Sequence, residues 1–299
     1  MLQKYYLGVD LGGTKIYTAL ADINGYILHE TRIPTEAHKS RKDVLDNIYR
    51  SINICMEKTD ASAHEIISLG MGVPGQINYE KGLVINTPNI PSLNNTRIRD
   101  ILFKKFKVYI HIANDAQTAG LAESRYGAGK SVNNFVYITV STGIGGGIII
   151  NNQLHRGFRG FAGEFGHTII NFAQGKNGKK ILESLASGTA VKKGFGFPAS
   201  LIKEKISKKE KKGTAALNNL VEFLGLGLAN ITVVLDPELI IIGGGVSNLG
   251  SMLLNPLKKE VQKNISSISR YPVKIVRAKL GKRSGVIGAI LFAMQCSKK

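Results

Sequence analysis

The sequence predicts an α/β fold built on largely buried sheets. Three observations carry that prediction. Short apolar runs that read as strands alternate with stretches of helical apolar spacing. Hydrophobic residues make up 43% of the 299 residues, enough to build a core and to exclude intrinsic disorder. Each half of the chain opens with two strands joined by a Gly/Thr-rich turn, YYLGVDLGGTKIYTALAD and NNFVYITVSTGIGGGIIINNQ, a weak internal repeat. The 34 glycines follow no short period, which excludes fibrous classes. A chain of ~300 residues buries about three quarters of its unfolded surface. One large or two medium domains are expected at ~100–200 residues each.

The elements follow in order. YYLGVD, KIYTALAD and YILHETRI read as strands, with Asn24-Gly25 marking the second turn. Residues 40–58 space Val44, Ile48, Ile52 and Cys55 as one helix face. HEIISLGMGVP is a strand, 96–106 a helix, KVYIHIAND a strand ending in a polar pair, and AQTAGLAESRYG a helix. Residues 152–183 are rich in glycine and read as an extended loop region. Residues 214–235 are helical, DPELIIIGGGVS and PVKIVRA are strands, and SGVIGAILFAMQ is a closing apolar helix.

Composition narrows the function classes. The 40 basic against 21 acidic residues give a net charge of +19. Such a field favours polyanions. The lysines are scattered, however, and the densest run, KEKISKKEKKG at 203–213, alternates with glutamates and holds no aromatic residue. It reads as a solvated helix end and loop, so no nucleic-acid partner is expected. No run of ~20 mostly apolar residues suggests a membrane span, and the first residues lack a signal peptide's apolar stretch. Cys55 and Cys296 cannot form a disulfide framework or a zinc set, which points to a cytoplasmic setting.

Several glycine loops compete for a phosphate role. GAGKS at 127–131 fails as a P-loop, because Ser124 stands where a glycine is needed. GMGVPG at 70–75 follows a strand, but Pro74 and QINYEKG do not open a helix, so a dinucleotide site is not expected. A third set is stronger. Asp10-Leu11-Gly12-Gly13-Thr14-Lys15 and Ser141-Thr142-Gly143-Ile144-Gly145-Gly146-Gly147 each join two strands, and Gly243-Gly244-Gly245 ends another. Glycines let the backbone approach a ligand, and successive N–H groups can line an anion-binding concavity. Asp10, at a strand end, suits Mg²⁺ directly or through water.

With those loops in place, the sequence resembles the ROK family of sugar kinases and sugar-responsive repressors, within the actin-like ATPase superfamily. The matching segments are GVDLGGTK, GMGVPGQIN, NTPNIP, NDAQTAGLAE, TVSTGIGGGIII, GEFGH, LESLASGTAV and LDPELIIIGGGVS, in family order along nearly the whole chain. The resemblance implies a two-domain actin-like (ribonuclease H-like) α/β fold with an interdomain cleft. Residues 1–120 with 284–299 would form the smaller domain and 121–283 the larger. It also implies ATP contacts from Asp10, Gly12, Gly13, Thr14, Lys15, Thr142, Gly143, Gly145, Gly244 and Gly245, with Asp10 near Mg²⁺. Asp115 would be the catalytic base. Gly75, Asn89, Asn114, Glu164, His167 and Glu183 would contact sugar. Asn114-Asp115 also reads as a helix cap, and the two roles are compatible.

The implied reaction moves the γ-phosphoryl group of MgATP to the 6-hydroxyl of a hexose, glucose foremost, at the entry to carbohydrate metabolism. N-acetylmannosamine, N-acetylglucosamine, fructose or allose are alternative acceptors, and polyphosphate an alternative donor. A non-catalytic sugar sensor is the alternative from another class. A DNA-binding repressor is not expected, because the family's repressors carry a helix-turn-helix domain ahead of the loop that here begins at Asp10. A homodimer or homotetramer is expected by resemblance. One departure stands out. The family's C-x-C-G-x-x-G-C run, which binds structural zinc with the His of its ExGH motif, is matched here by 171–181, which contains no cysteine. His167 alone cannot supply four ligands. No structural zinc is expected, and something else must order 171–181.

Overall fold

The computed structural model describes residues 4–172 and 178–297. The chain forms two compact units. The described residues of Met1–Ala122, Arg156–Ala162 and Lys282–Lys299 make the first, and those of Glu123–His155 and Gly163–Gly281 the second. Segment 156–162, which the expected division put with 121–283, groups with the first unit.

The first unit opens with β1 (Tyr5–Leu11), β2 (Lys15–Asp22), β3 (Ile27–Pro34) and α1 (Arg41–Glu57). β4 (Ile66–Val73), a small hairpin of β5 (Gln76–Asn78) and β6 (Leu83–Asn86), α2 (Ile98–Phe106), β7 (Tyr109–Asn114) and α3 (Asp115–Tyr126) follow. The sheet order is β3-β2-β1-β4-β7, with β1 antiparallel to β2 and parallel to β4. β1 is apolar on both faces because it is covered on both. Tyr5, Leu7, Val9 and Leu11 join Val44, Ile48, Ile52 and Cys55 of α1 in the main core. The period of two turns Tyr6 to the other face, where it packs in a cluster with Val286 and Ile290. α1 starts where Ser40 and Asp43 form a capping box.

The second unit contains β8 (Phe135–Val140), β9 (Ile144–Ile150), β10 (Gln153–His155), β11 (Ile169–Phe172), β12 (Lys179–Ile181), α4 (Leu182–Ala186) and α5 (Gly188–Phe195). α6 (Ile202–Ser207), α7 (Lys211–Leu235), β13 (Leu239–Gly243), α8 (Ser251–Ile265) and β14 (Ile275–Arg277) complete it. Its main sheet runs β10-β9-β8-β13-β14. β8 is antiparallel to β9 and parallel to β13, as β1 is to β2 and β4. The faint sequence repeat is thus a duplicated sheet, and its two Gly/Thr turns occupy equivalent hairpins. α7 is the described helix that is long and apolar enough to cross a membrane. Its buried Ala216, Leu220, Leu224 and Leu228 form one stripe, and it packs on α4, α6 and α8.

Two expectations need correction. Residues 152–183 are not one extended loop. They include β10, the β11–β12 hairpin and the start of α4. Strands of three or four residues are too short for a period of two to show. α8 was not anticipated, because Pro256 lies inside it. Its buried Leu253, Leu257, Val261 and Ile265 nonetheless recur every four residues. The expectation about 171–181 falls partly on 173–177, outside the described residues.

The last helix, α9 (Ser284–Cys296), packs on β1 and β4 in the first unit. Glycines set that approach. A Cβ on Gly288 would lie 1.7 Å from the Thr118 carbonyl oxygen. One on Gly70 would lie 2.0 Å from that of Ala289. Gly288→Ala is therefore expected to cost at least ~3 kcal/mol through forced displacement of α9. Gly194→Ala, with nothing within 4 Å of the new methyl group, is expected to be neutral or to stabilise by about 0.5–1 kcal/mol. Denaturant unfolding of both variants tests the contrast, and equal midpoints would refute the packing argument.

Candidate active site

The β1–β2 turn is built from Gly12, Gly13 and Thr14. The Gly12 N–H donates to the Lys15 carbonyl at 3.0 Å. Thr35, fully buried just after β3, fastens the turn from behind. Its N–H donates to the Thr14 carbonyl at 3.1 Å and its hydroxyl to the Gly12 carbonyl at 2.6 Å. The N–H groups of Gly13 and Thr14 have no partner among the described residues. A Cβ on Gly13 would lie 3.0 Å from the Cβ of Asn89, so Asn89 lies against the turn. Thr14 and Lys15 are exposed.

Two carboxyl groups stand beside this turn. Asp10 lies near the end of β1, where α9 crosses so closely that a Cβ on Gly285 would be 2.3 Å from Asp10 Oδ2. Burial, then the charge of Asp115, push the Asp10 carboxyl up to about 7, and Lys15 opposes the rise. Asp115 is the first residue of α3. Burial raises its carboxyl above the ordinary value, against the N–H of Ala116, which donates to Oδ1 at 2.9 Å. Paired, desolvated carboxylates disfavour one another's charge. A hard divalent cation with oxygen ligands relieves both penalties, so this donor set fits Mg²⁺. Among the described residues, no three His, Cys, Asp or Glu side chains cluster as metal ligands.

Asn114 is the cap that orients Asp115. Its Oδ1 accepts the N–H groups of Ala116 at 2.9 Å and Gln117 at 3.3 Å. Its Nδ2 donates to the Gly75 carbonyl at 3.0 Å. Gly75 has a φ of +97°, and a Cβ there would meet the Asn86 carbonyl at 2.1 Å, so only glycine fits.

The β8–β9 turn belongs to the second unit. Ser141 N–H donates to the Gly143 carbonyl at 2.9 Å. Segment 182–189 stitches the turn down. Gly188 N–H donates to the Ser141 carbonyl at 2.7 Å and Thr189 N–H to that of Thr142 at 3.2 Å. Glu183 Oε2 accepts the Ile144 N–H at 2.7 Å. The N–H groups of Thr142 and Gly143 have no partner among the described residues. The end of β13 adjoins this turn. Gly244, at a φ of +78°, would put a Cβ 2.4 Å from the Val140 carbonyl, and one on Gly245 would lie 3.9 Å from Ser141 Oγ. Glu164 is half-buried, with Oε2 3.9 Å from Nε2 of the exposed His167. The segment carrying them lies along β9, where Gly145 sits, because a Cβ on Gly163 would meet the Gly146 carbonyl at 2.5 Å.

The first unit thus gathers Asp10, Gly12, Gly13, Thr14, Lys15, Gly75, Asn89, Asn114 and Asp115. The second gathers Thr142, Gly143, Gly145, Glu164, His167, Glu183, Gly244 and Gly245. Sequence reading missed Thr35 and Gln117. A lone threonine after a strand gives no signal. Gln117 is buried in α3, accepts the Tyr79 hydroxyl, and donates to the Ala162 carbonyl at 2.9 Å. That bond is one reason segment 156–162 belongs to the first unit. Thr35→Val removes the hydroxyl behind the β1–β2 turn and, if the turn contacts ATP as the resemblance implies, is expected to raise the KM for ATP ~5-fold with little change in kcat, the value of one hydrogen bond. Initial-rate kinetics decide it, and an unchanged KM would show that the turn holds itself.

The model of the ROK family matches residues 6–296. The xylose repressor of Caldicellulosiruptor bescii is 31% identical, covering 96% of this chain and 77% of its own. The glucokinase of Streptomyces coelicolor is 30% identical, covering 97% of each chain. Among solved structures, the ROK hexokinase of Thermus thermophilus superposes with a TM-score of 0.86 at 28% identity, covering 98% of this chain and 99% of its own. A ROK family glucokinase from Streptomyces griseus, in complex with glucose and AMPPNP, gives 0.79 at 28% identity, covering 97% and 99%.

Proposed function

This chain belongs to the ROK family and is an ATP-dependent sugar kinase of the glucokinase type, and we propose that it transfers the γ-phosphoryl group of ATP to the 6-hydroxyl of glucose in the cytoplasm. Its fold is the α/β fold of actin-like and ribonuclease H-like ATPases, with two sheet-bearing domains. The observation that carries the reading is the pairing of Asp10 and Asp115 beside a turn whose N–H groups have no partner among the described residues. The turn suits phosphate oxygens, Asp10 suits a metal ion, and Asp115 suits a proton.

A sugar hydroxyl is a weak nucleophile at neutral pH. Asp115 accepts its proton as the new oxygen–phosphorus bond forms and the bond from the γ-phosphorus to the bridging oxygen breaks. Such a base contributes typically ~10²–10⁴-fold. Asn114 holds that base in place through its cap and its bond to Gly75. Positioning and charge neutralisation supply the larger share in phosphoryl transfer. In the first unit Gly13 and Thr14 offer N–H groups suited to phosphate oxygens and Lys15 adds a cation; in the second, Thr142 and Gly143 offer N–H groups of the same kind. Asp10 would hold Mg²⁺, which would supply neutralisation of phosphate charge. Asn89 in the first unit offers an amide, and Glu164, His167 and Glu183 in the second offer carboxylate and imidazole groups, the kinds that sugar hydroxyls require.

The raised Asp115 carboxyl gives this reading a pH signature. The base must be ionised, so kcat is expected to fall as pH drops, on an acid limb that lies above the ordinary carboxylate range near 4. A kcat profile flat down to pH 4.5 would remove Asp115 from the role.

An assay of ADP release with MgATP and a panel of hexoses, N-acetylhexosamines and xylose tests the substrate. Glucose is expected to give the highest kcat/KM. The similarity to a xylose repressor favours a second reading, a sensor that binds sugar without turnover. Sugar binding by calorimetry with no ADP release from any acceptor would establish it.

A further inference from the structure

We infer that Glu183 is a positioning residue for the nucleotide-phosphate turn, and that it couples sugar binding to nucleotide binding within the second unit. The inference deepens the kinase reading and rests on it. An ionised carboxylate has about four lone-pair sites, so one oxygen can hold the backbone while the other serves a ligand. Here Oε2 accepts the Ile144 N–H at 2.7 Å. That N–H lies one residue beyond Thr142-Gly143, whose own N–H groups have no partner among the described residues. The contact is built into the sequence from both sides. A Cβ on Gly143 would lie 2.3 Å from Glu183 Oε2, so only glycine leaves room for the carboxylate. Gly166 likewise lets Glu183 close in, since a Cβ there would lie 3.3 Å from that of Glu183.

Oε1 has no partner among the described residues and remains available to a sugar hydroxyl. One carboxylate therefore serves two roles. Its Oε2 fixes the turn that presents N–H groups to phosphate, and its Oε1 is left for a sugar hydroxyl. A sugar that orders the carboxylate orders the turn, and by linkage nucleotide and sugar each raise the other's affinity by the same factor. The two backbone bonds from Gly188 and Thr189 to the turn survive removal of the side chain. Loss of Glu183 thus loosens the turn without releasing it.

The test measures the Kd of MgADP by calorimetry, without sugar and with saturating glucose. Glu183→Ala is expected to weaken MgADP about tenfold in the absence of sugar, the lower end of what a charge-assisted hydrogen bond is worth. Glu183→Gln, whose amide oxygen still accepts the Ile144 N–H, is expected to restore the affinity to within about twofold. Glu164→Ala is expected to leave sugar-free MgADP binding unchanged. Any strengthening of MgADP by glucose should vanish in Glu183→Ala. Gly143→Ala displaces the carboxylate and tests the same contact if the alanine variant does not fold. In the double variant the two losses should not add. Wild-type MgADP affinity in Glu183→Ala, or an equal loss in Glu164→Ala, would overturn the inference and leave the kinase reading intact. A wild-type protein that binds no MgADP would overturn both.

Discussion

Asp115→Asn is expected to lower kcat by at least ~10³-fold while the protein stays folded and still binds sugar and MgATP. The substitution keeps the side chain's shape, and Oδ1 of an asparagine can still accept the Ala116 N–H that Asp115 accepts at 2.9 Å. The cap from Asn114 is untouched. What disappears is the ability to take a proton. The expected pattern is a collapse in kcat with the KM for both substrates within a few-fold. Stability should rise slightly, because a carboxyl held in a desolvated site is replaced by a neutral amide. A KM-dominated loss would instead assign Asp115 to binding. Retention of more than a tenth of wild-type kcat would move the base elsewhere.

The contrast between Asp115 and its neighbours shows what the sequence could and could not display. The two Gly/Thr turns were legible because each joins two strands, and strands announce themselves by apolar runs. Their equivalence was legible only as a faint repeat, although it is a full duplication of sheet order. Pairing partners lie far apart in sequence, and β8–β13 joins residues separated by 104 positions, as in Leu239 opposite Phe135. Asp115 was singled out by the resemblance, and its place after a strand agreed with that choice. Its raised carboxyl was not, because burial depends on what packs around it. Asn114 was read as a sugar contact and as a cap. Its side chain forms the cap and the bond to Gly75, both local matters that Asn at this position favours. Glu183 carried no sign of its bond to Ile144, since 39 residues separate the two. Thr35 and Gln117 act through main-chain carbonyls, and such contacts leave no pattern in the letters.

Asp10→Asn should separate stability from activity most sharply. Burial and the charge of Asp115 push the Asp10 carboxyl up to about 7 from its ordinary value of 3.8. Its folded value therefore lies above its unfolded one. Between those values the folded state binds more protons than the unfolded chain, so stability falls as pH rises. The contribution is fully present below about 4 and lost by the time pH has passed about 7. At neutral pH the ionised Asp10 is a strain on the metal-free protein. Its replacement by a neutral amide of the same shape is expected to stabilise that protein by ~2–4 kcal/mol at pH 7.5 and by almost nothing at pH 4. Mg²⁺ with nucleotide is expected to reverse the order, because a ligand that binds only the folded state stabilises it by mass action. Wild type should gain from MgADP in thermal melts, and Asp10→Asn should gain far less. Turnover should drop at least ~10²-fold in the variant, which has lost the carboxylate proposed for the metal ion. Melts in EDTA at both pH values, repeated with MgADP, read each part separately. Equal stability of the two proteins in EDTA at pH 7.5 would show that the Asp10 carboxyl is not held in an unfavourable charge state. An equal gain from MgADP would show that it does not hold the metal ion.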